Sequence, residues 1–185
     1  MAVVLTDGLV TVRPLTPDDA APMHEAVAES VGEVSPWLPW CHAGYTRAET
    51  DGFIAFAARV WAEQLQFPFG IFAARDGQFL GGISINHIAR PNQLANVGYW
   101  VRSSRTGQGV AAAATRLVAK YAFGELGLTR LEFACLPGNA PSRRVAEKVG
   151  AKLEAVCRNR LVMHGKAYDA ALYGLTPEDI AVAGW

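Results

Sequence analysis

Arg105-Thr106-Gly107-Gln108-Gly109-Val110-Ala111 is the stretch on which the fold turns. It follows Leu94 to Val101, which reads as a strand, and it precedes Val110 to Phe123, where apolar residues recur at helical spacing until Gly124 and Gly127 stop them. A glycine-rich passage from strand to helix lets the backbone turn tightly. It also aims several N–H groups at one point beside the positive end of the helix dipole, where a phosphate fits. The turn is not a Walker A loop, because no Gly-Lys-Ser/Thr follows, nor a dinucleotide fingerprint, because the third glycine and the acidic ribose ligand about 20 residues on are missing. Local charge favours an anion. Between Asp76 and Glu125 there is no acidic residue, while Arg90, Arg102, Arg105, Arg116 and Lys120 fall in that interval. Arg102 and Arg105 are expected to add Coulomb attraction with no nearby carboxylate competing.

Working outward from this turn, Leu131 to Leu136 reads as a buried strand, so the segment around it is a strand-helix-strand crossover, expected to be parallel. Upstream, Val10 to Leu15 alternates and breaks at Pro14, and Thr16-Pro17-Asp18-Asp19 opens a helix toward Ser30. The loop Trp37-Leu38-Pro39-Trp40 separates it from a second helix, which starts at the capping box Thr46 and Glu49 and runs to about Leu65. Phe69 to Ala74, Phe79 to Ile88 and Leu94 to Val101 form an antiparallel meander. Downstream, Pro141 to Val149 is a short helix ended by Gly150, and Leu153 to Val162 with Tyr168 to Leu175 closes the chain in a hairpin. The order is β-α-α-β-β-β-α-β-α-β-β. That is an α/β (α+β) fold with a mixed, mostly antiparallel sheet of seven strands flanked by about four helices, in one domain over residues 1–185.

The 51% hydrophobic and 18% charged composition suits a chain with a packed core, and no apolar run approaches the ~20 residues of a membrane span. The net charge of zero does not announce nucleic acid or membrane as a partner. Met1 to Leu5 lacks the basic region and cleavage site of a secretory leader, which points to the cytoplasm. Cys41, Cys135 and Cys157 are odd in number and widely spaced, against both a disulfide framework and a zinc site, so no metal is expected.

Thr106-Gly107-Gln108-Gly109-Val110-Ala111 resembles the pyrophosphate loop of the GNAT superfamily, Gln/Arg-x-x-Gly-x-Gly/Ala, with Thr106 departing from the usual first position. Asn139-Ala140-Pro141-Ser142 followed by Glu147-Lys148-Val149-Gly150 is similar to the Asn-x-x-Ser…Glu-Lys-x-Gly signature of the RimJ/RimL-like branch, which acetylates N-terminal amines of ribosomal proteins. Gly98-Tyr99-Trp100-Val101, Ser84-Ile85-Asn86 and the Trp37 to Trp40 loop carry the likeness from about Val10 to Leu175.

The resemblance implies acetyl-CoA as cofactor, with its pantetheine arm between the fourth and fifth predicted strands. Trp100, Val101 and Arg102 would supply backbone partners for that arm, Gly107, Gln108, Gly109, Val110 and Ala111 would hold the pyrophosphate with Arg105 and Thr106 among the cofactor contacts, Asn139 would contact the cofactor, and Ser142 would lie near the sulfur. Those two are the candidate catalytic residues, Ser142 as proton donor to the thiol, although Asn139-Ala140-Pro141 is also a good helix start. Trp37, Trp40, Asn86 and Asn96 are candidate acceptor contacts, and Trp61, Phe53, Phe56 and Phe67 extend the aromatic set. Where family members often carry a glutamate, this chain has Asn96, so Glu33, Glu63, His87 or a water chain is left as base. The expected acceptor is the N-terminal α-amine of a protein or peptide. A small-molecule amine, or a non-catalytic CoA-binding role, stands as the alternative, and family likeness suggests a homodimer.

Overall fold

Ala112, Ala113, Ala114, Ala119 and Ala122 all lie against the sheet with at most 5% exposure, because a helix faced with methyl groups packs close to a pleated surface. This is α3 (Val110–Gly124), the central helix of a computed structural model that describes residues 3–185. Met1 and Ala2, within the stretch read for a leader, lie outside the described residues.

The chain runs β1 (Leu5–Thr6), β2 (Val10–Arg13), α1 (Ala20–Val34), α2 (Arg47–Ala62), β3 (Phe67–Ala73), β4 (Phe79–Ala89), β5 (Leu94–Val101), α3, β6 (Arg130–Cys135), α4 (Ala140–Lys148), β7 (Lys152–Met163), β8 (Lys166–Leu175) and α5 (Pro177–Ala183). The eight strands form one sheet in the order β1-β2-β3-β4-β5-β6-β8-β7. All neighbours are antiparallel except β5 and β6, the pair joined by the α3 crossover. The fold is therefore the predicted mixed one, with two small additions. One is β1, which pairs Leu5 with Val12, and the other is α5, opened by the Thr176 and Asp179 capping box. No helix among the described residues is long and apolar enough to cross a membrane.

One packing layer is set by alternation. Ile83, Ile85, Ala95 and Val97 are almost fully buried on the α3 face, where Leu131, Phe133 and Tyr173 complete the core. Each of the buried isoleucine, valine, leucine and phenylalanine side chains among them, withdrawn from water, contributes about 1.5–3 kcal/mol. Trp61 belongs here too. Its ring meets Phe67 and Phe69 edge-on at 4.8 and 5.0 Å, and its Nε1 donates to the Pro68 carbonyl at 2.6 Å. It and Phe67 are core residues, not the groove lining the sequence suggested. The opposite layer holds α1 and α2 over Leu15, Phe72 and Phe79.

Candidate active site

The parallel ladder between β5 and β6 holds for only three residue pairs, ending at Asn96 with Glu132. Beyond it the strands separate, and the halves Val97 to Val101 and Phe133 to Cys135 line the walls of a cleft of about 880 Å³. The cleft opens at the carboxyl ends of two parallel strands, the place where open α/β sheets commonly take ligands.

At one end sits the glycine turn. Gly107 and Gly109 have φ of +74° and +83°, left-handed values that a residue with a side chain adopts only under strain. A Cβ at either would meet nothing within 4 Å, so the space in front of the turn is open. The helical ladder starts with Ala113 N–H to the Gly109 carbonyl at 3.0 Å, and the amides of Gly107 to Ala112 donate to no acceptor among the described residues. These free donors at the start of a fifteen-residue helix form an anion cradle.

Charge in the cleft differs from the sequence expectation. Arg102 is 6% exposed and turned to the other side of the sheet, where Glu25 and Glu29 of α1 bind its guanidinium and the Phe79 carbonyl accepts from Nη1 at 3.2 Å. Two carboxylates thus neutralise the arginine that was expected to stand unopposed. Arg90 reaches the Gln64 carbonyl, while Arg116 and Lys120 lie over the Trp185 ring. Of the five cations in the acid-free interval only Arg105 lines the cleft, where Arg144, Lys148 and Arg160 join it. Against these four stands a single carboxylate among the described lining residues, Glu33.

The other predicted residues are distributed as follows. Trp100, Val101, Thr106, Gly107, Gly109, Val110 and Ala111 line the cleft, as do Trp37, Asn86, Asn96, Asn139 and Ser142. Trp40 lines an adjoining chamber, and Gln108 folds back to donate to the Ser104 carbonyl at 3.1 Å. Asn139 caps α4, its Oδ1 accepting from Ser142 N–H at 3.1 Å, and Asn96 Nδ2 donates to Asn86 Oδ1 at 2.9 Å. Glu63 caps the end of α2 away from the cleft, whereas His87 lines it.

Sequence reasoning passed over Tyr99 and Cys135. Tyr99 O–H donates to the Ser142 carbonyl at 2.9 Å and lies 3.3 Å from Ser142 Oγ, which in turn is 3.2 Å from Cys135 Sγ. Burial, the largest influence, drives the Tyr99 phenol well above its ordinary range and raises the Cys135 thiol, so both hold their protons. The Tyr99–Ser142–Cys135 cluster therefore stands neutral between the separated strands.

Comparison with known families decides what this cleft belongs to. The family model described as an acetyltransferase (GNAT) domain matches residues 10–152. The chain belongs to the GNAT acetyltransferase family. Its acetyl donor is acetyl-CoA, and the chemistry is N-acetyl transfer. Among relatives, it is 30% identical over 168 residues, 90% of each chain, to YdaF of Bacillus subtilis, whose name assigns it provisionally to ribosomal N-acetylation. It is 24% identical to the ribosomal-protein-serine acetyltransferase of Escherichia coli, over 80% of this chain and 81% of that one. Among solved structures, Mycobacterium smegmatis RimJ in complex with CoA-disulfide superposes with a TM-score of 0.83 at 28% identity, covering 97% of this chain and 88% of the other. The cleft of this GNAT protein fits the donor. An open amide cradle suits a diphosphate, and four cations against one carboxylate suit a polyanion.

Proposed function

We propose that this acetyltransferase modifies the N-terminal α-amine of a protein or peptide. The observation that carries the reading is the composition of the cleft, in which one rim carboxylate, Glu33, is the sole acidic side chain among the described lining residues. With a reference pKa near 7.8, an α-amine is roughly a tenth uncharged at pH 7, whereas a lysine near 10.4 is free base about once in ~2,500 molecules. A site with no strong base on its strands serves the first acceptor far better. The names of the YdaF and ribosomal-protein-serine relatives support a protein acceptor, and a ribosomal or nascent N-terminus implies work in the cytoplasm.

Bound acetyl-CoA would supply a thioester carbonyl open to attack and a thiolate leaving group that a proton donor converts to the thiol. Gly107, Gly109 and the amides that follow would hold its phosphates, with Arg105 adding charge. Val101 and Trp100, on the unpaired edge of β5, position the arm. Ser142, with its carbonyl and hydroxyl in contact with Tyr99, would offer its hydroxyl proton to the departing sulfur and regain one from the proton that the acylated amine sheds. Asn139 sets the orientation of Ser142 by capping α4. The acceptor would lie along the Trp37, Asn86 and Asn96 lining, with His87 and Glu33 also in the wall of the cleft.

An amine panel incubated with acetyl-CoA, with free thiol followed, tests this. N-terminal peptides are expected to release thiol at neutral pH at least about tenfold faster than peptides whose only amine is an internal lysine. Equal or better turnover of the lysine peptides, or turnover confined to small amines such as polyamines, would sink it. Acetyl-CoA binding without thiol release would assign the chain a non-catalytic role.

A further inference from the structure

A second chamber of about 600 Å³ lies across β5 from the donor cleft, and the two share Leu38 and Pro39 of the loop and Asn86, Gly98, Tyr99 and Trp100 of the strands. Its floor follows from register. Gly82 pairs with Trp100, Ser84 with Gly98, and Asn86 with Asn96, so all six project from one face of β4 and β5. Three of the six are glycine or serine. None is fully buried, whereas Ile83, Ile85 and Val97 on the reverse face are. Where a packed sheet normally carries branched side chains, this one leaves a hollow.

The walls are aromatic. A Cβ at Gly82 would come within 2.8 Å of Trp100 Nε1, so the missing side chain is what lets the indole lie across the strand. Trp40 meets Trp100 at 5.5 Å and 66°, and Phe79 meets it at 6.0 Å. Phe53 of α2 and Trp40 of the preceding loop are 38% and 39% exposed, an unusual state for large aromatics, and both line this chamber. The ionisable pair in the lining, His42 and Glu49, is tied together at 3.0 Å. Such a hollow rewards an apolar ring and penalises a charged chain, which would have to shed its water where Glu49, the one carboxylate among the described lining residues, is already bonded to His42 and Thr46.

We propose that this chamber is the subsite for the acceptor's side chain, and that it selects amines whose amine-bearing carbon carries a bulky apolar group, above all an aromatic ring. The inference rests on the N-terminal acetylation reading. With the amine in the donor cleft beside Asn86 and Gly98, the shared stretch of β5 directs the neighbouring side chain into the hollow.

The test offers the full-length protein, with acetyl-CoA, tetrapeptides that differ only in a first residue of Phe, Leu, Ala, Ser or Lys. The kcat/KM for the Phe peptide should exceed that for Ala, Ser and Lys by about 30-fold or more. Ser84→Leu fills the floor and should cut the Phe-over-Ala ratio to about threefold while leaving the affinity for acetyl-CoA in place. Phe53→Ala, at an exposed position, gives the same direction should Ser84→Leu fail to fold. A separate titration of the Phe tetrapeptide, followed by tryptophan fluorescence, reads occupancy without turnover. Preferred acetylation of Ala or Ser peptides overturns the chamber and spares the N-terminal reading. Tight binding of the Phe peptide, relieved by Ser84→Leu, with no peptide acetylated, supports the chamber and sinks the transfer reading.

Discussion

Glu29→Gln separates a structural charge from the chemistry it supports. Glu29 binds the Arg102 guanidinium, and its Oε1 accepts from Ser104 N–H at 2.8 Å, while neighbouring Ser30 accepts from Ser103 N–H at 3.0 Å. Thus α1 grips the turn at Ser103 and Ser104, which leads directly into the anion cradle. The bonds from Arg102 hold the Glu29 carboxyl at about 2, below its ordinary 4.5. Its folded value lies below its unfolded one, so its contribution to stability is complete above pH 4.5 and is lost as pH falls toward 2. Taken whole, that difference corresponds to about 3 kcal/mol; the Glu29 side chain is 30% exposed, and solvent screening reduces this to about 1–2 kcal/mol. Glutamine keeps an acceptor for Ser104 but removes the charge facing an arginine that is 6% exposed. Urea denaturation at pH 7 should show Glu29→Gln less stable by about 1–2 kcal/mol, with the gap closing as pH drops through 4 to 3. Calorimetry with acetyl-CoA should show Kd raised about threefold to tenfold, the consequence of a loosened turn in front of the cradle. Parallel pH-stability curves for the two proteins would refute the ion pair as a stabilising element. An unchanged Kd would refute its hold on the cradle.

Two further substitutions address the cleft. Gly109→Val places a branched side chain at φ +83°, which costs about 2 kcal/mol and crowds the open cradle; acetyl-CoA affinity should fall at least about 20-fold while β-sheet circular dichroism is retained, and wild-type affinity would remove the cradle from the donor site. Tyr99→Phe deletes the hydroxyl bonded to the Ser142 carbonyl at 2.9 Å; kcat should drop about 100-fold with KM for acetyl-CoA changed less than about threefold, and an unaltered kcat would leave Tyr99 a packing residue.

Much of the frame was legible because its boundaries are made of local chemistry. The strand Leu94–Val101 and the start of α3 fall where read, since Gly107 and Gly109 force the turn and the apolar period changes from two to 3.6 across it. Thr46 and Glu49 form the predicted capping box at α2. What escaped lacked a local signal or depended on distance. A two-residue strand, Leu5–Thr6, is too short to show alternation. By contrast, Thr176-Pro177-Glu178-Asp179 does carry a helix-start pattern and could have been read. Alternation gives Tyr99 a face but not its partner, Ser142, which arrives 43 residues later on α4.

The charge of the cleft shows why an interval in sequence is a poor guide to an electrostatic site. Residues 77–124 hold five cations and no acid, and the strand-to-helix turn among them does hold the cradle. Yet a strand sends alternate side chains to opposite faces, so Arg102 leaves its neighbours and meets Glu29, 73 residues earlier in the chain. Arg116 and Lys120, on α3, turn to Trp185 instead. The cleft recovers its positive character from α4 and β7, through Arg144, Lys148 and Arg160. Backbone amides, fixed by local turn geometry, were readable from sequence; side-chain charge is assembled by tertiary contacts. The cradle's affinity should therefore depend more on Gly107 and Gly109 than on any single arginine that the linear pattern singles out.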